Sequence, residues 1–250
     1  MAGHLSLRSG NPALKAETFN EFKAMTTENT MTIMGTVHKT AIALALLMLT
    51  AFYSWSLPLG DPRVGMFIGV GFIGGFIVAL VTIFKKTLAP YTTPVYALLE
   101  GLALGAISKM FEVQYPGIVS QAVFLTFGTL AALLMAYRSG LIKPTENFKL
   151  GIVAATGGIA ILYLISFLLG LFGISVPVIH SNSTFGILFS FAVVIIAALN
   201  LVLDFDSIEQ GAENGAPKFM EWYGAFGLLV TLIWLYLEIL RLLAKLQSRD

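Results

Sequence analysis

Three acidic residues lie inside long apolar stretches of this sequence, where water is scarce. They are Glu100, Asp204 and Glu238. Inside a membrane-spanning segment, an ionised acid costs several kcal/mol unless it is paired, hydrated or protonated. Acids at such positions commonly line ion pathways or relay protons. These three residues are therefore the candidate ion-pathway and pH-sensing groups of the chain.

The stretches that carry these acids are predicted to be membrane-spanning helices. Of the 250 residues, 57% are hydrophobic and 12% are charged, about half the charged fraction of a soluble domain. About 20 apolar residues cross a hydrocarbon core as a helix, and the runs lack the short alternating pattern of barrel strands. The sequence predicts an all-α integral membrane protein with seven spans, at about 37–57, 64–84, 93–111, 118–137, 150–172, 184–203 and 219–246.

The chain divides into a polar N-terminal tail, residues 1–34, and one membrane domain, residues 35–246. Lysine and arginine predict the orientation because they are enriched in cytoplasmic loops. With the N-terminus inside, the inner segments hold ten of the fifteen lysines and arginines. The tail is therefore predicted to be cytoplasmic, and the C-terminus periplasmic or external.

Helix geometry predicts the depth of two of the acids. A rise of about 1.5 Å per residue puts Glu100 roughly 10 Å and Asp204 roughly 9 Å below the cytoplasmic face. Two carboxyl groups in one apolar layer should raise each other's pKa, by desolvation and by repulsion between like charges. A proton shared between them can then be exchanged near neutral pH. Lys85 and Lys86, at the inner end of the second span, can extend toward this layer as counter-charges.

Glu238 is predicted to lie deeper than the other two acids. If the seventh helix is continuous, Glu238 is roughly 28 Å along it and does not touch Asp204. Only a broken or strongly tilted helix would bring the two together. Arg241 follows three residues later and can pair with Glu238 on the same helix face.

The remaining polar residues give no enzyme signature. Asp206, Glu209, Glu213 and Glu221 follow or precede a span and can be solvated at the cytoplasmic rim, and Asp206 is also a supporting residue of the candidate ion pathway. The sequence has no cysteine, no nucleophile elbow, no zinc-binding helix and no phosphate-cradling glycine loop. A net charge of +1 provides no basic face for nucleic acid. We expect a non-enzymatic protein without metal or cofactor.

Small residues recur at the spacing that lets membrane helices approach closely. The pairs, each four residues apart, are Gly65/Gly69, Gly71/Gly75 and Gly101/Gly105. Where two such residues face a neighbouring helix, the backbones come into van der Waals contact. Together these pairs favour a compact bundle.

Three segments resemble the Bax inhibitor-1 (transmembrane Bax inhibitor motif) family, in particular its bacterial, YccA-like branch. ALNLVLDFDSIEQGAE, around Asp204, is similar to the family's sixth-helix signature, LIWLYLEILRLLAKL to its seventh helix, and PVYALLEGLALGAIS to its third. The resemblance covers about 35–246. It implies a seven-helix bundle in the bacterial inner membrane, with the last helix central.

The resemblance also implies a pH-sensitive cation (calcium) leak. In that family a carboxyl pair from the sixth and seventh helices opens or closes the path as it titrates. Asp204 matches the sixth-helix member. The seventh-helix position falls on Glu238 or on Thr231, depending on the alignment, and Glu100 is a candidate substitute acid.

A different function is the alternative to the channel. Some bacterial relatives engage a membrane-bound ATP-dependent protease through the N-terminal tail, and residues 1–34 are long enough to be gripped. A secondary transporter is a weaker alternative, because no paired broken helices or inverted repeat appear. The expected partners are the lipid bilayer, protons and calcium ions, or the protease.

Overall fold

The computed structural model of the protein describes residues 30–58, 60–174 and 181–248. Within these ranges no strand forms, and seven long helices follow one another. They are α1 (Ile33–Trp55), α2 (Pro62–Phe84), α3 (Ala89–Gln114), α4 (Ile118–Arg138), α5 (Glu146–Leu171), α6 (Thr184–Glu213) and α7 (Met220–Gln247). All seven are long and apolar enough to cross a membrane. The predicted all-α fold with seven spans is confirmed.

Two helices extend well beyond the apolar segments from which they were predicted. α3 begins at Ala89 rather than at 93, and α6 continues from 203 to Glu213. The reason is that hydropathy marks the part of a helix that matches hydrocarbon, whereas the backbone hydrogen bonds continue into polar sequence. α7 is continuous from Met220, so Glu238 lies on an unbroken helix.

Polar caps and glycines define the ends of several helices. Thr32, Asp61 and Thr145 occupy the N-cap positions of α1, α2 and α5, and their side chains accept backbone N–H hydrogen bonds. Gly140 and Gly215, which follow α4 and α6, have φ values of 73° and 68°. Only glycine adopts that left-handed conformation without strain, so the chain turns at these points.

The described residues belong to two compact units. The first, which we call the α1–α3 unit, contains α1, α2 and α3 together with 207–230, the end of α6 and the start of α7. The second, the α4–α5 unit, contains α4 and α5 with the rest of α6 and the C-terminal part of α7 from Thr231.

In the α1–α3 unit, α3 packs against α1 through glycine. A Cβ atom at Gly101 would overlap the carbonyl oxygen of Leu47, and one at Gly105 would overlap that of Ala51. Main chain therefore meets main chain, as the small-residue spacing predicts. Thr50 reinforces the contact because its hydroxyl donates to the carbonyl oxygen of Leu98 at 2.9 Å.

The glycines of α2 fall into two groups. A Cβ at Gly71 would lie 2.7 Å from the carbonyl oxygen of Leu99, and Gly75 also faces α3. Gly65 and Gly69 have nothing within 4 Å of the Cβ position. The second pair therefore lies at a close helix contact and the first does not, because spacing alone does not reveal what lies opposite.

Burial is unequal among the helices. In an apolar stretch of 18 residues taken from each helix, the buried share is 61% for α7, 50% for α3 and for α6, and 22% or less for the other four. The largest buried share thus belongs to the last helix, and its central position in the bundle stays a prediction. The acids of interest lie on these three most buried helices.

Candidate functional site

The three predicted acids are all buried. The exposed fraction is 0% for Asp204, 1% for Glu238 and 6% for Glu100. Glu100 belongs to the α1–α3 unit, whereas Asp204 and Glu238 belong to the α4–α5 unit. A buried carboxylate requires hydrogen bonds or a counter-charge, so the surroundings of each acid determine what it can do.

Glu238 lies in a cluster of donors. Its Oε1 accepts hydrogen bonds from the Tyr163 hydroxyl at 2.9 Å and from the Trp234 indole at 3.3 Å. The Arg241 guanidinium donates to both carboxylate oxygens, at 3.0 and 3.1 Å, and also to the Tyr163 hydroxyl at 2.8 Å. The pairing expected from the spacing of Glu238 and Arg241 is present, and it compensates the charge of the buried acid.

Glu100 has a different environment. Its carboxyl group lies against Gly75 of α2, where a Cβ would come within 2.5 Å of Oε1. Among the residues that the structure describes, its Oε2 has no hydrogen-bond partner. Gly75 therefore makes room for a carboxyl group that no cation among the described residues compensates. In hydrocarbon such a group is tolerated when it carries a proton or gains water.

Asp204 occupies the most buried segment of α6. Leu201, Val202 and Leu203 before it are 0% exposed, and Phe205 after it is 8% exposed. α6 also continues past Gln210, which is the condition on which the predicted depth of Asp204 depends. The prediction that Asp204 is withheld from bulk water agrees with this burial.

Asp206 is not simply solvated, in contrast to the prediction. Its carboxylate lies 2.6 Å from the Nζ of Lys149, whose side chain is only 4% exposed. Glu146 lies 3.8 Å from the same nitrogen but is largely exposed. The rings of Tyr137 and Phe205 also approach, with centroids 5.9 Å apart. α4 and α5 therefore both contact α6 near Phe205 and Asp206.

The predicted counter-charges do not reach Glu100. Lys85 is exposed and caps α2, and Lys86 begins the short 3₁₀ turn before α3. Neither forms an ion pair with Glu100.

Thr231, the other candidate for the seventh-helix position, is 3% exposed. In the described ranges, no three His, Asp or Glu side chains come together as metal ligands.

Glu221 is a buried charged residue that the sequence reasoning missed. It is 1% exposed, and its Oε1 accepts hydrogen bonds from the backbone N–H and the hydroxyl of Thr32, both at 3.1 Å. Its Oε2 lies 2.9 Å from the Nζ of Lys39. The carboxylate packs directly on Gly35, where a side chain would overlap it. The expectation of a solvated Glu221 is therefore wrong.

A signal for this site was present in the sequence. Lys39 lies near the start of the first predicted span, where a lysine needs an acidic partner or a route to water. The partner belongs to the start of α7, and a separation of 189 residues from Thr32 makes it invisible to local patterns.

The fold and these groups define a polytopic α-helical membrane protein with carboxyl groups buried in its third, sixth and seventh helices. The family model described as Bax inhibitor 1 like matches residues 11–248. The chain belongs to this family, as its helix signatures predict. A comparison with curated proteins found no match. The bacterial, YccA-like branch stays a prediction.

Proposed function

We propose that the protein is a proton-regulated cation leak in which Glu100 and Asp204 are the proton-responsive groups and calcium is a permeant ion. The observation that carries the proposal is the uncompensated carboxyl group of Glu100, buried in a membrane-spanning helix. Such an acid lowers the stability of the bundle, and proteins retain groups of this kind mainly where function requires them.

The charge state of these acids determines the expected direction of regulation. A protonated carboxyl group is neutral and gives no electrostatic stabilisation to a cation crossing the apolar layer. After the proton leaves, the negative charge attracts the cation, and this attraction is strong where the effective dielectric constant is low. We therefore propose that the leak is larger at pH 8 than at pH 6.

Glu238 has a different role in this proposal. Its charge is compensated by Arg241 at 3.0 Å, and it links α7 to α5 through Tyr163. The bacterial inner membrane, with the N-terminal tail in the cytoplasm, is the proposed location.

Calcium flux into liposomes that contain the purified protein tests the proposal. We expect a leak that is larger at pH 8 than at pH 6, and we expect Asp204→Asn and Glu100→Gln each to reduce that difference. The matched control is Glu221→Gln, which neutralises a buried acid that already has a partner, Lys39. Absence of flux, or an unchanged pH response in both variants, would overturn the proposal.

A second candidate is regulation of a membrane-bound ATP-dependent protease through the N-terminal tail. The observation that favours it is the attachment of the chain just before α1. The N–H of Met31 donates to the carbonyl oxygen of Ala216 at 2.7 Å, and Thr32 is bound by Glu221. A pull on the tail would therefore act on the start of α7. Deletion of residues 1–28 should abolish protease inhibition without changing calcium flux.

A further inference from the structure

Four polar side chains form a line along one face of α7. Trp234, Glu238, Arg241 and Lys245 follow at intervals of four, three and four residues, which places them on one side of a helix. We call them the α7 polar stripe. In a membrane helix such a line must face protein or water, because lipid cannot satisfy it.

The α7 polar stripe contacts two neighbouring helices of the α4–α5 unit. Near its middle, Tyr163 of α5 binds Glu238 and Arg241. Near its C-terminal end, the Nζ of Lys245 donates to the carbonyl oxygen of Gly186 at 3.0 Å and to the hydroxyl of Ser190 at 2.8 Å, both in α6. Lys245 is 5% exposed, so its ammonium group is enclosed by protein.

The charges of the stripe do not cancel. The one negative charge, on Glu238, is paired with Arg241. Lys245 has only neutral acceptors, and no carboxylate in the described part of the chain lies within ion-pair distance of it. Gly186 is in the first turn of α6, so the positive end of that helix dipole adds to the same potential. One buried positive charge is left over.

We propose that Lys245 is the charge-selecting residue of the leak, a fixed buried ammonium group that opposes cations at the C-terminal end of α7. This inference rests on the proposed function. An ion crosses hydrocarbon only along a polar lining, and a run of polar side chains can provide one. A fixed positive charge on such a lining is an electrostatic barrier to cations. The repulsion is proportional to the charge of the moving ion, so it opposes calcium twice as strongly as potassium.

Removal of the charge should therefore raise the two fluxes by different factors. For Lys245→Met we expect calcium flux to rise on the order of tenfold and potassium flux roughly threefold, because the factor for a divalent ion is the square of that for a monovalent ion. The fluxes are measured separately in liposomes at pH 8. Lys109→Met is the matched control, since Lys109 lies over the ring of Trp55 in the α1–α3 unit.

Two further variants separate charge from hydrogen bonding. Lys245→Arg keeps the charge and should behave as the wild type. Lys245→Gln keeps a donor for Ser190 but removes the charge, so it should raise both fluxes as Lys245→Met does. If Lys245→Gln behaves as the wild type, the role of Lys245 is structural and the inference is wrong. If Lys245→Met does not fold, Lys245→Gln decides.

The same measurements distinguish failure of this inference from failure of the proposed function. Equal leaks in the wild type and in the neutral variants would disprove the role of Lys245 and leave the leak in place. A silent wild type with leaking neutral variants would support the barrier and disprove the leak as the natural activity. If neither leaks, both are wrong.

Discussion

Glu238 and Glu100 are both buried acids in membrane-spanning helices, but only one of them has a counter-charge. Glu238 accepts hydrogen bonds from Arg241 and from Tyr163 and Trp234. Glu100 lies against Gly75 and has an oxygen without a partner among the described residues. The difference teaches that burial alone does not determine the role of an acid. With a counter-charge, the same residue type can serve as a structural link between helices.

The largest expected effect on stability comes from removing the counter-charge of Glu238. Arg241→Leu leaves Glu238 buried without its cation, and we expect a loss of about 3 kcal/mol of unfolding free energy. This is the lower end of the usual range, because the Arg241 side chain is 37% exposed. Unfolding in mixed detergent micelles, followed by circular dichroism, measures the change.

The double variant Glu238→Leu with Arg241→Leu is the control for this prediction. With both charges removed, no buried charge is left without a partner, and only the neutral donors of Tyr163 and Trp234 lose their acceptor, so part of the lost stability should return. A double variant as unstable as Arg241→Leu would show that packing of the arginine, rather than compensation of the acid, holds this region.

A smaller loss is expected where a buried acid keeps part of its compensation. In Lys39→Met, Glu221 still accepts the two hydrogen bonds from Thr32, and the Lys39 side chain is 25% exposed in the wild type. We expect a loss of about 1–2 kcal/mol in the same unfolding measurement. Lys85→Met, at an exposed position, should change the unfolding free energy by less than about 0.5 kcal/mol. Equal losses in the two variants would contradict this explanation.

The sequence was sufficient to predict the seven helices and the burial of the three acids, because both follow from local composition. Glu100 lies within an apolar run and Asp204 and Glu238 each follow one, and an acid in such a run is expected to be buried where its helix packs against others. The pairing of Glu238 with Arg241 was also predictable, because it is an i, i+3 contact within one helix.

The rest depends on contacts between distant segments, and a single sequence does not encode these in any local pattern. Tyr163 is 75 residues from Glu238, and Thr32 is 189 residues from Glu221. The glycines illustrate the same limit. Gly65 and Gly71 belong to similar small-residue pairs of one helix, yet Gly65 faces open space and Gly71 faces the backbone of α3.

Replacement of Glu100, which has no counter-charge, is expected to change the stability of the bundle in the opposite direction. Glu100→Met replaces a polar group that lacks a partner with an apolar side chain of similar length, so we expect the bundle to gain about 1 kcal/mol. Glu238→Met should instead destabilise the protein, since Arg241 loses its partner. Both are measured by thermal unfolding in detergent. A clear loss of stability in Glu100→Met would mean that Glu100 is a structural residue after all, and its proposed role would lose its main support.

The smallest effect is expected for a compensated acid outside the spans. Hydrogen bonds from the Arg63 side chain and backbone N–H hold the pKa of Asp61 below its ordinary value of 3.8. Because the pKa is lowered in the folded state, this group stabilises the fold above pH 4, and the contribution is lost as the pH falls below that value. Asp61→Asn should therefore lower the melting temperature slightly at pH 6, and the difference from the wild type should shrink at pH 3. A difference of unchanged size at pH 3 would contradict this explanation, because asparagine keeps the N-cap hydrogen bond and only the charge distinguishes the two side chains. Compensation in water would then have no measurable effect, in contrast to compensation of Glu238 within the bundle.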